Sequence, residues 1–408
     1  MTVKQKIVCG MAGCIVVLYL VVRFLYPAYN SLLAQRSPVV SLEAENRKVY
    51  KRTMAIREKD FTVTAVHENG KKTRLRSEEY SLSATEPALT GDKTDIRIIL
   101  KENKDIQCKC SVKNDRKPIV RFYCGRENLK DAVAVLYSNG ELCFEGKGDI
   151  LAFNEYPWKE YEDMDEHPLI SVTFTKDIRP ESMDDWFSGI DTLAYVSAIP
   201  SSVKSMSSAF SECSSLKKGT DWSRCDSLIN VSECYKGCES LSEFTDLPAS
   251  VIIADHMCEG CISLEKTGNL SKAVNLKSAV SMYQGCTNII EAGISPNVET
   301  IAYAYAGCIN LKSMPLIPET VKAMEGCFEG DISLQHLTNL PANVVNISSC
   351  FSGCSKIEGN LMIDCNPVEY SNLFLGAAVA TKVHLAGKSN IINELIDECN
   401  NDNISVAK

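Results

Sequence analysis

Ile199-Pro200-Ser-Ser-Val203-Lys-Ser-Met206-Ser-Ser-Ala209-Phe210-Ser-Glu-Cys213-Ser-Ser-Leu216 is the stretch that decides the fold, because it returns. Its centre is an aromatic, any residue, Gly or a substitute, then Cys, with Leu or Ile three places on. The centre recurs at Tyr235-Lys-Gly-Cys238, Cys258-Glu-Gly-Cys261, Tyr283-Gln-Gly-Cys286, Tyr305-Ala-Gly-Cys308, Phe328-Glu-Gly-Asp331 and Phe351-Ser-Gly-Cys354. Phe187-Ser-Gly-Ile190 is a first copy and Phe374-Leu-Gly-Ala377 a decayed last one. Spacings run from 22 to 25 residues. Ten residues before the cysteine position stand Val203, Leu228, Val251, Leu276, Val298, Val321 and Val344; seven before it stand Met206, Val231, Ala254, Ala279, Ile301, Met324 and Ile347.

A unit this short cannot bury its apolar side alone, so copies must stack and share one core. Pro200, Pro248, Pro318 and Pro341 punctuate the apolar stretches and stop them from forming long helices. The pattern predicts short parallel rungs on two sides of a coil, tight turns at the recurring Gly, and aromatics stacked from coil to coil.

The repeat resembles the BspA-type leucine-rich repeats of bacterial surface proteins, with Ile199 to Cys213 as the closest stretch. The resemblance covers about residues 165–390. It implies a leucine-rich-repeat solenoid of mainly β class, a scaffold whose exposed positions vary.

Nineteen cysteines are an odd number and cannot all pair within the chain. Cys213, Cys238, Cys261, Cys286, Cys308 and Cys354 share one column and are expected as a ladder of buried structural thiols. Cys234 with Cys238, Cys258 with Cys261, and Cys350 with Cys354 have spacings that suit zinc. The partner columns, however, are filled elsewhere by Met282, Ala304 or Leu373, which packing tolerates and metal ligation does not. No metal and no cofactor are expected.

Residues 7–26 are 20 residues interrupted by one charge, Arg23, and follow Lys4 and Lys6. As a helix they match the ~30 Å hydrocarbon layer, and the positive-inside rule puts the N-terminus in the cytoplasm. The expectation is an uncleaved single-pass anchor in the cell membrane with the repeats outside; a cleaved signal peptide is the alternative, although Leu32-Leu33-Ala34 is a poor cleavage site. From Phe61 the pattern alternates: Phe61, Val63 and Ala65, an Asn69-Gly70 turn, Tyr80 to Ala84, Asp95 to Leu100, and Ile106 to Val112. This outline resembles a small bacterial Ig-like domain and implies a β-sandwich spacer. A strand pair around Asn139-Gly140 and the segment at Trp158 are placed to cap the first coil. The expected division is therefore an anchor (1–29), a linker (30–55), an Ig-like β-sandwich (56–115), a cap (116–165), about nine repeats (166–392) and a C-terminal tail (393–408).

Net charge is −9. The first 200 residues hold 29 Lys+Arg against 29 Asp+Glu, and the remainder 14 against 23, so the acidity lies with the repeats. An acidic surface cannot neutralise phosphates, which excludes nucleic acid as a partner. The five histidines are scattered, with no His-Glu-x-x-His, no Gly-x-Ser-x-Gly and no phosphate loop. His256 and His336 lie near cysteines, but a surface role outweighs a Cys/His dyad. Asp163-x-Asp165 lacks the rest of a calcium loop.

These readings converge on a non-enzymatic, membrane-anchored surface protein that binds a protein or glycan through the repeat face, in adhesion or host contact. Glu243, Lys266, Glu291, Lys312, Gln335 and His336 follow buried Leu or Ile and differ between copies, so they are the expected partner-binding residues. The rivals are a structural cell-envelope protein and an intracellular leucine-rich-repeat interaction protein.

Overall fold

The computed structural model describes residues 37–50, 56–83, 91–161, 168–399 and 401–407. It divides into two compact units, Met1–Arg116 and Lys117–Lys408. In the first unit, β1 (Val39–Glu45), β3 (Thr62–His67) and β4 (Lys72–Arg74) form one antiparallel sheet, with β2 (Val49–Tyr50) intervening in sequence. The other sheet has the order β2, β7 (Gln107–Asn114), β6 (Lys93–Leu100), β5 (Tyr80–Leu82). Alternation sets which side chains turn inward: Val63 and Ala65 from β3, Ile96, Ile98 and Leu100 from β6, and Cys110 and Val112 from β7 meet around Tyr50, Phe61 and Tyr80. Gly70 takes the left-handed conformation the β3–β4 turn requires, at φ 79°. One correction follows for the expected linker, because residues 39–45 and 49–50 are strands. Leu42 reaches the core, and β1 pairs along β3 from Val39 to Glu45.

The second unit opens with β8 (Pro118–Tyr123), β9 (Ala132–Tyr137) and β10 (Glu141–Gly146), an antiparallel meander whose β9–β10 turn is Asn139-Gly140. After β11 (Gly148–Asp149), the strands β12 (Ser171–Phe174), β13 (Ile178–Arg179) and β14 (Tyr195–Val196) switch to parallel pairing. Trp158 is fully buried here; its Nε1 donates to the Trp186 carbonyl at 2.7 Å, and its ring packs on Phe144, Trp186 and Phe187. The first repeat copy thus meets an aromatic cluster instead of water.

From there each copy is one coil. A parallel ladder runs through Ser182, Ser205, Asn230, Ile253, Ser278, Thr300, Ala323, Asn346 and Glu369, two residues after the buried Val or Leu column or, at the two ends, after Pro180 and Pro367. A second, interrupted ladder joins Lys218 to Glu243, Lys266 to Glu291, and Ser313 to His336 to Glu358. Between the ladders the aromatics stack, with Phe187, Phe210 and Tyr235 in one run and Tyr283, Tyr305, Phe328, Phe351 and Phe374 in another, at centroid separations of 5.6 to 5.9 Å. Cys258 stands in the aromatic column and separates the two runs.

The turn between the ladders imposes a left-handed residue five places before the cysteine position in every copy. Asp185, Ser208, Glu233, His256, Ser281, Tyr303, Ser349 and Asn372 have φ between 52° and 58°, and Gly326 fills the same place at 54°. Asp, Asn and His adopt this region more readily than other side chains, whereas Glu233 and Tyr303 are held there by the stacked coils.

The stack closes with β15 (Gly359–Met362), β16 (Val383–Ala386), α1 (Ile392–Cys399) and β17 (Ile404–Val406), in parallel order β15-β16-β17. Residues 393–408 were expected as a tail. Instead Leu395 of α1 and Ile404 of β17 are buried in the same core as the repeats.

Single-pass membrane localisation is also corrected. Among the described residues no helix is long and apolar enough to cross a membrane. The one α-helix among the described residues, α1, has eight residues, ~12 Å at 1.5 Å per residue against the ~30 Å required. The segment 7–26 on which that expectation rested lies outside the described residues, as does Asp163-x-Asp165.

Candidate recognition surface

The expected binding residues fall in two neighbouring columns of the interrupted ladder. Glu243, Lys266, Glu291 and His336 are five places after the cysteine position; Lys312 and Gln335 are four places after it. All are exposed except Gln335, which is half-buried. Backbone pairing fixes their order: Gly219 N donates to Glu243 O at 2.8 Å, Gln335 N to Lys312 O at 2.9 Å, and Met314 N to His336 O at 2.9 Å. Along the outer column the residues read Lys218, Glu243, Lys266, Glu291, Ser313, His336, so opposite charges neighbour one another. Lys218 Nζ pairs with the Glu243 carboxylate, both side chains being largely exposed. Such a pair orders the side chains and contributes ~0–1 kcal/mol.

A second surface column was not anticipated. One residue after the buried Val or Leu, or after Pro180 and Pro367 at the two ends, stand Glu181, Lys204, Ile229, Ile252, Lys277, Glu299, Lys322, Val345 and Val368, joined by N–H···O bonds from coil to coil. Lys204 binds Glu181 at 2.9 Å, and Glu299 is held by Lys322 at 2.7 Å and Lys277 at 3.2 Å. Hydrogen bonds from those lysines lower the carboxyl pKa of Glu181 and Glu299. Between the two charged groups Ile229, Ile252 and Ile253 are exposed on adjacent coils, with Ile252 N donating to Ile229 O at 2.8 Å. The sequence signal was available: an isoleucine directly after a core Val or Leu has its side chain turned outward.

The cysteine column is fully buried, and all its thiols are free. Each donates to the main-chain carbonyl of the aromatic-column residue one coil earlier. Cys213 bonds Phe187 O, Cys238 Phe210 O, Cys261 Tyr235 O, Cys286 Cys258 O, Cys308 Tyr283 O and Cys354 Phe328 O, at 2.9 to 3.3 Å. Burial raises the pKa of Cys213, Cys238, Cys286, Cys308 and Cys354, which disfavours the nucleophilic thiolate. His256 Nδ1 bonds Glu259 Oε2 at 2.6 Å on the surface, and Lys236 reaches the same oxygen at 3.1 Å. Cys258 and Cys261 lie buried beneath, so His256 is committed to a carboxylate and not to a thiol. Among the described residues no group of three or more His, Cys, Asp or Glu could hold a metal ion. The zinc-like spacings are used for packing and for S–H···O bonds.

A model of the BspA type leucine-rich repeat region matches residues 167–280 and 276–400 in six copies, more than half of the chain. The chain belongs to the BspA-type leucine-rich repeat family. No curated protein matches it. Among solved structures, it is similar to a leucine-rich repeat protein from Eubacterium ventriosum, at 18% identity over 71% of this chain and 84% of the other, with a TM-score of 0.31. A leucine rich cell surface protein from Faecalibacterium prausnitzii is 14% identical over 60% and 95%, with a TM-score of 0.28. A leucine-rich repeat protein from Bacteroides ovatus is 17% identical over 71% and 99%, with a TM-score of 0.25. Such scores set no residue correspondence, and nothing about a partner follows from them. Within this BspA-type chain the recognition question rests on its own two surface columns.

Proposed function

We propose that the repeats form a leucine-rich-repeat solenoid that acts as a non-catalytic scaffold and binds a protein partner through the column Lys218, Glu243, Lys266, Glu291, Ser313, His336 and its neighbours Lys312 and Gln335. One observation supports this reading: neighbouring coils pair their backbones at Lys218–Glu243, Lys266–Glu291 and Ser313–His336 while the side chain changes at every step. A regular frame with a specified sequence of charges gives orientation and selectivity, which is what electrostatic complementarity contributes to an interface. The first unit, on the Ig-like outline of its sequence, would serve as a spacer.

The test is binding of the full chain to protein and glycan panels, compared with a Glu243→Lys, Glu291→Lys double variant. A protein bound by the parent and weakened tenfold or more by the variant supports the proposal. Binding to glycans alone, or equal binding by both chains, defeats it.

A self-associating structural protein is the second reading, and the exposed Ile229, Ile252 and Ile253 favour it, since association between copies would cover them. Sedimentation of the parent against Ile252→Glu separates the two. A concentration-dependent oligomer lost in the variant selects the structural reading, and a monomer in both removes it.

A further inference from the structure

Asp331 occupies the place where six other copies have cysteine, and it is fully buried. Neither carboxyl oxygen has a hydrogen-bond partner. The acceptor that its column position assigns to it is the Tyr305 carbonyl, one coil earlier, by the same rule that pairs Cys354 with Phe328 and Cys308 with Tyr283. A carboxylate cannot meet that carbonyl, because both are acceptors; a carboxylic acid can, because its O–H donates. The nearest amides are already used, as Gly307 N donates to Glu329 O at 2.7 Å and Cys308 N to Tyr305 O at 2.9 Å.

We propose that Asp331 is a neutral carboxylic acid donating to the Tyr305 carbonyl, and that its coil is a seam at which the repeat stack loosens as pH rises. The titratable groups around it come from three coils: Cys308 before it, Cys327 on its own turn, and Cys350 and Cys354 after it. All are buried thiols, and burial keeps them protonated. Glu329, on the same turn, is half-exposed. Burial raises the carboxyl pKa of Asp331 well above the ordinary range; the amides of Cys308 and Gly307 oppose this only in part, and no cation contributes.

The consequence has a definite sign. The folded chain holds a proton that the unfolded chain releases near the ordinary aspartate pKa. Stability is therefore greatest below that value and falls as pH rises toward the raised folded pKa. Across this window the unfolding constant gains about tenfold per pH unit from this one group. Beyond the folded pKa, the buried anion has no partner, and the contacts between its coil and the coils on either side weaken.

The experiment compares denaturant unfolding of the full chain with that of Asp331→Cys, which restores the repeat consensus, from mildly acid to mildly alkaline pH. The parent should lose stability relative to the variant by about tenfold in unfolding constant per pH unit within the window. Parallel profiles overturn the proposal. Should Asp331→Cys fail to fold, the infrared carboxylic-acid C=O band at neutral pH decides: it is present in the parent and absent in Asp331→Asn if Asp331 is neutral, and its absence from the parent overturns the assignment. Hydrogen exchange tests the seam. Protection at Gly330, Asp331 and Leu334 should fall with pH ahead of that at Phe210, Cys213 and Leu216, after correction for intrinsic exchange. An even loss across all coils overturns that part.

Discussion

The thiol of Cys238 donates to the carbonyl oxygen of Phe210, 3.0 Å away and one coil earlier. That carbonyl also accepts from Cys213 N at 3.1 Å, so the thiol occupies its second lone pair. A small side chain with a weak donor meets both demands of this place, because it packs as a hydrophobe and satisfies a buried acceptor. Cys238→Ala should cost about 1–3 kcal/mol, the range for a lost partner plus a small void. Cys238→Ser, which keeps a donor, should cost less than the alanine. If serine is the worse of the two in thermal denaturation, the column is governed by apolar burial and the hydrogen bond is incidental.

Thiol labelling should follow burial. Cys108 and Cys399 are partly exposed, whereas the ladder cysteines are not. Burial raises the pKa of both, so their labelling should be slow at neutral pH and accelerate as pH rises and thiolate forms. Peptide mass spectrometry after brief alkylation of the native chain should find Cys108 and Cys399 modified before Cys213, Cys238 or Cys286. Early labelling of the ladder would mean that the coils open readily.

Glu212 stands in the column that is otherwise glycine, at φ 62°, and its carboxyl lies across Gly237. A non-glycine residue in the left-handed region costs about 1–2 kcal/mol. Glu212→Gly should therefore stabilise the chain by about 1 kcal/mol, with the greater freedom of glycine when unfolded offsetting part of the gain. Gly285→Ala should cost about 1–2 kcal/mol from backbone strain, since its Cβ would meet Gly260 at an ordinary 3.8 Å. Gly237→Ala should cost about the same, because the group its Cβ would meet at 2.5 Å is the Glu212 carboxyl, the end of an exposed side chain that can swing aside. Melting temperatures of the three variants check the order.

Three tyrosines of the aromatic column differ only at their hydroxyls. Tyr235 Oη accepts from Thr220 N at 2.9 Å, Tyr305 Oη donates to Gly293 O, and Tyr283 Oη has no partner beside a small apolar cavity. Tyr283→Phe should leave stability unchanged or raise it by about 1 kcal/mol, whereas Tyr235→Phe should lower it by about 1 kcal/mol by orphaning an amide. Equal effects in denaturant titrations would show that the Tyr283 hydroxyl is satisfied in solution.

Much of the repeat was legible because its information is local and repeated. Val203 and its counterparts, Phe210 and its counterparts, and the cysteine column are each recognisable one copy at a time, and nine copies average out the exceptions. The first unit was partly legible. The alternation at Phe61, Val63 and Ala65 is a strong strand signal, whereas Val39 to Glu45 follows Ser37-Pro38 and reads as linker until β3 is there to pair with it. At the C-terminus, α1 and β17 carry no repeat signature, and only the open side of the last coil gives them a place to pack. On the surface, the variability of Glu243, Lys266 and Glu291 from copy to copy is legible in the sequence, whereas Ile229, Ile252 and Ile253 become a patch only when the coils bring the three together.

The sequence by itself determined the period, the columns and the membership of the repeat, since a hydrophobic pattern recurring every 22 to 25 residues can bury its apolar face in few ways other than by stacking. Tertiary structure alone decided what the columns do to one another. Whether a cysteine pairs, binds metal or donates to a carbonyl depends on which acceptor the neighbouring coil presents. Whether an aspartate is an anion or an acid depends on how completely the coils above and below exclude water. Both are properties of groups some 25 residues apart in the chain, brought into contact only when the coils are stacked.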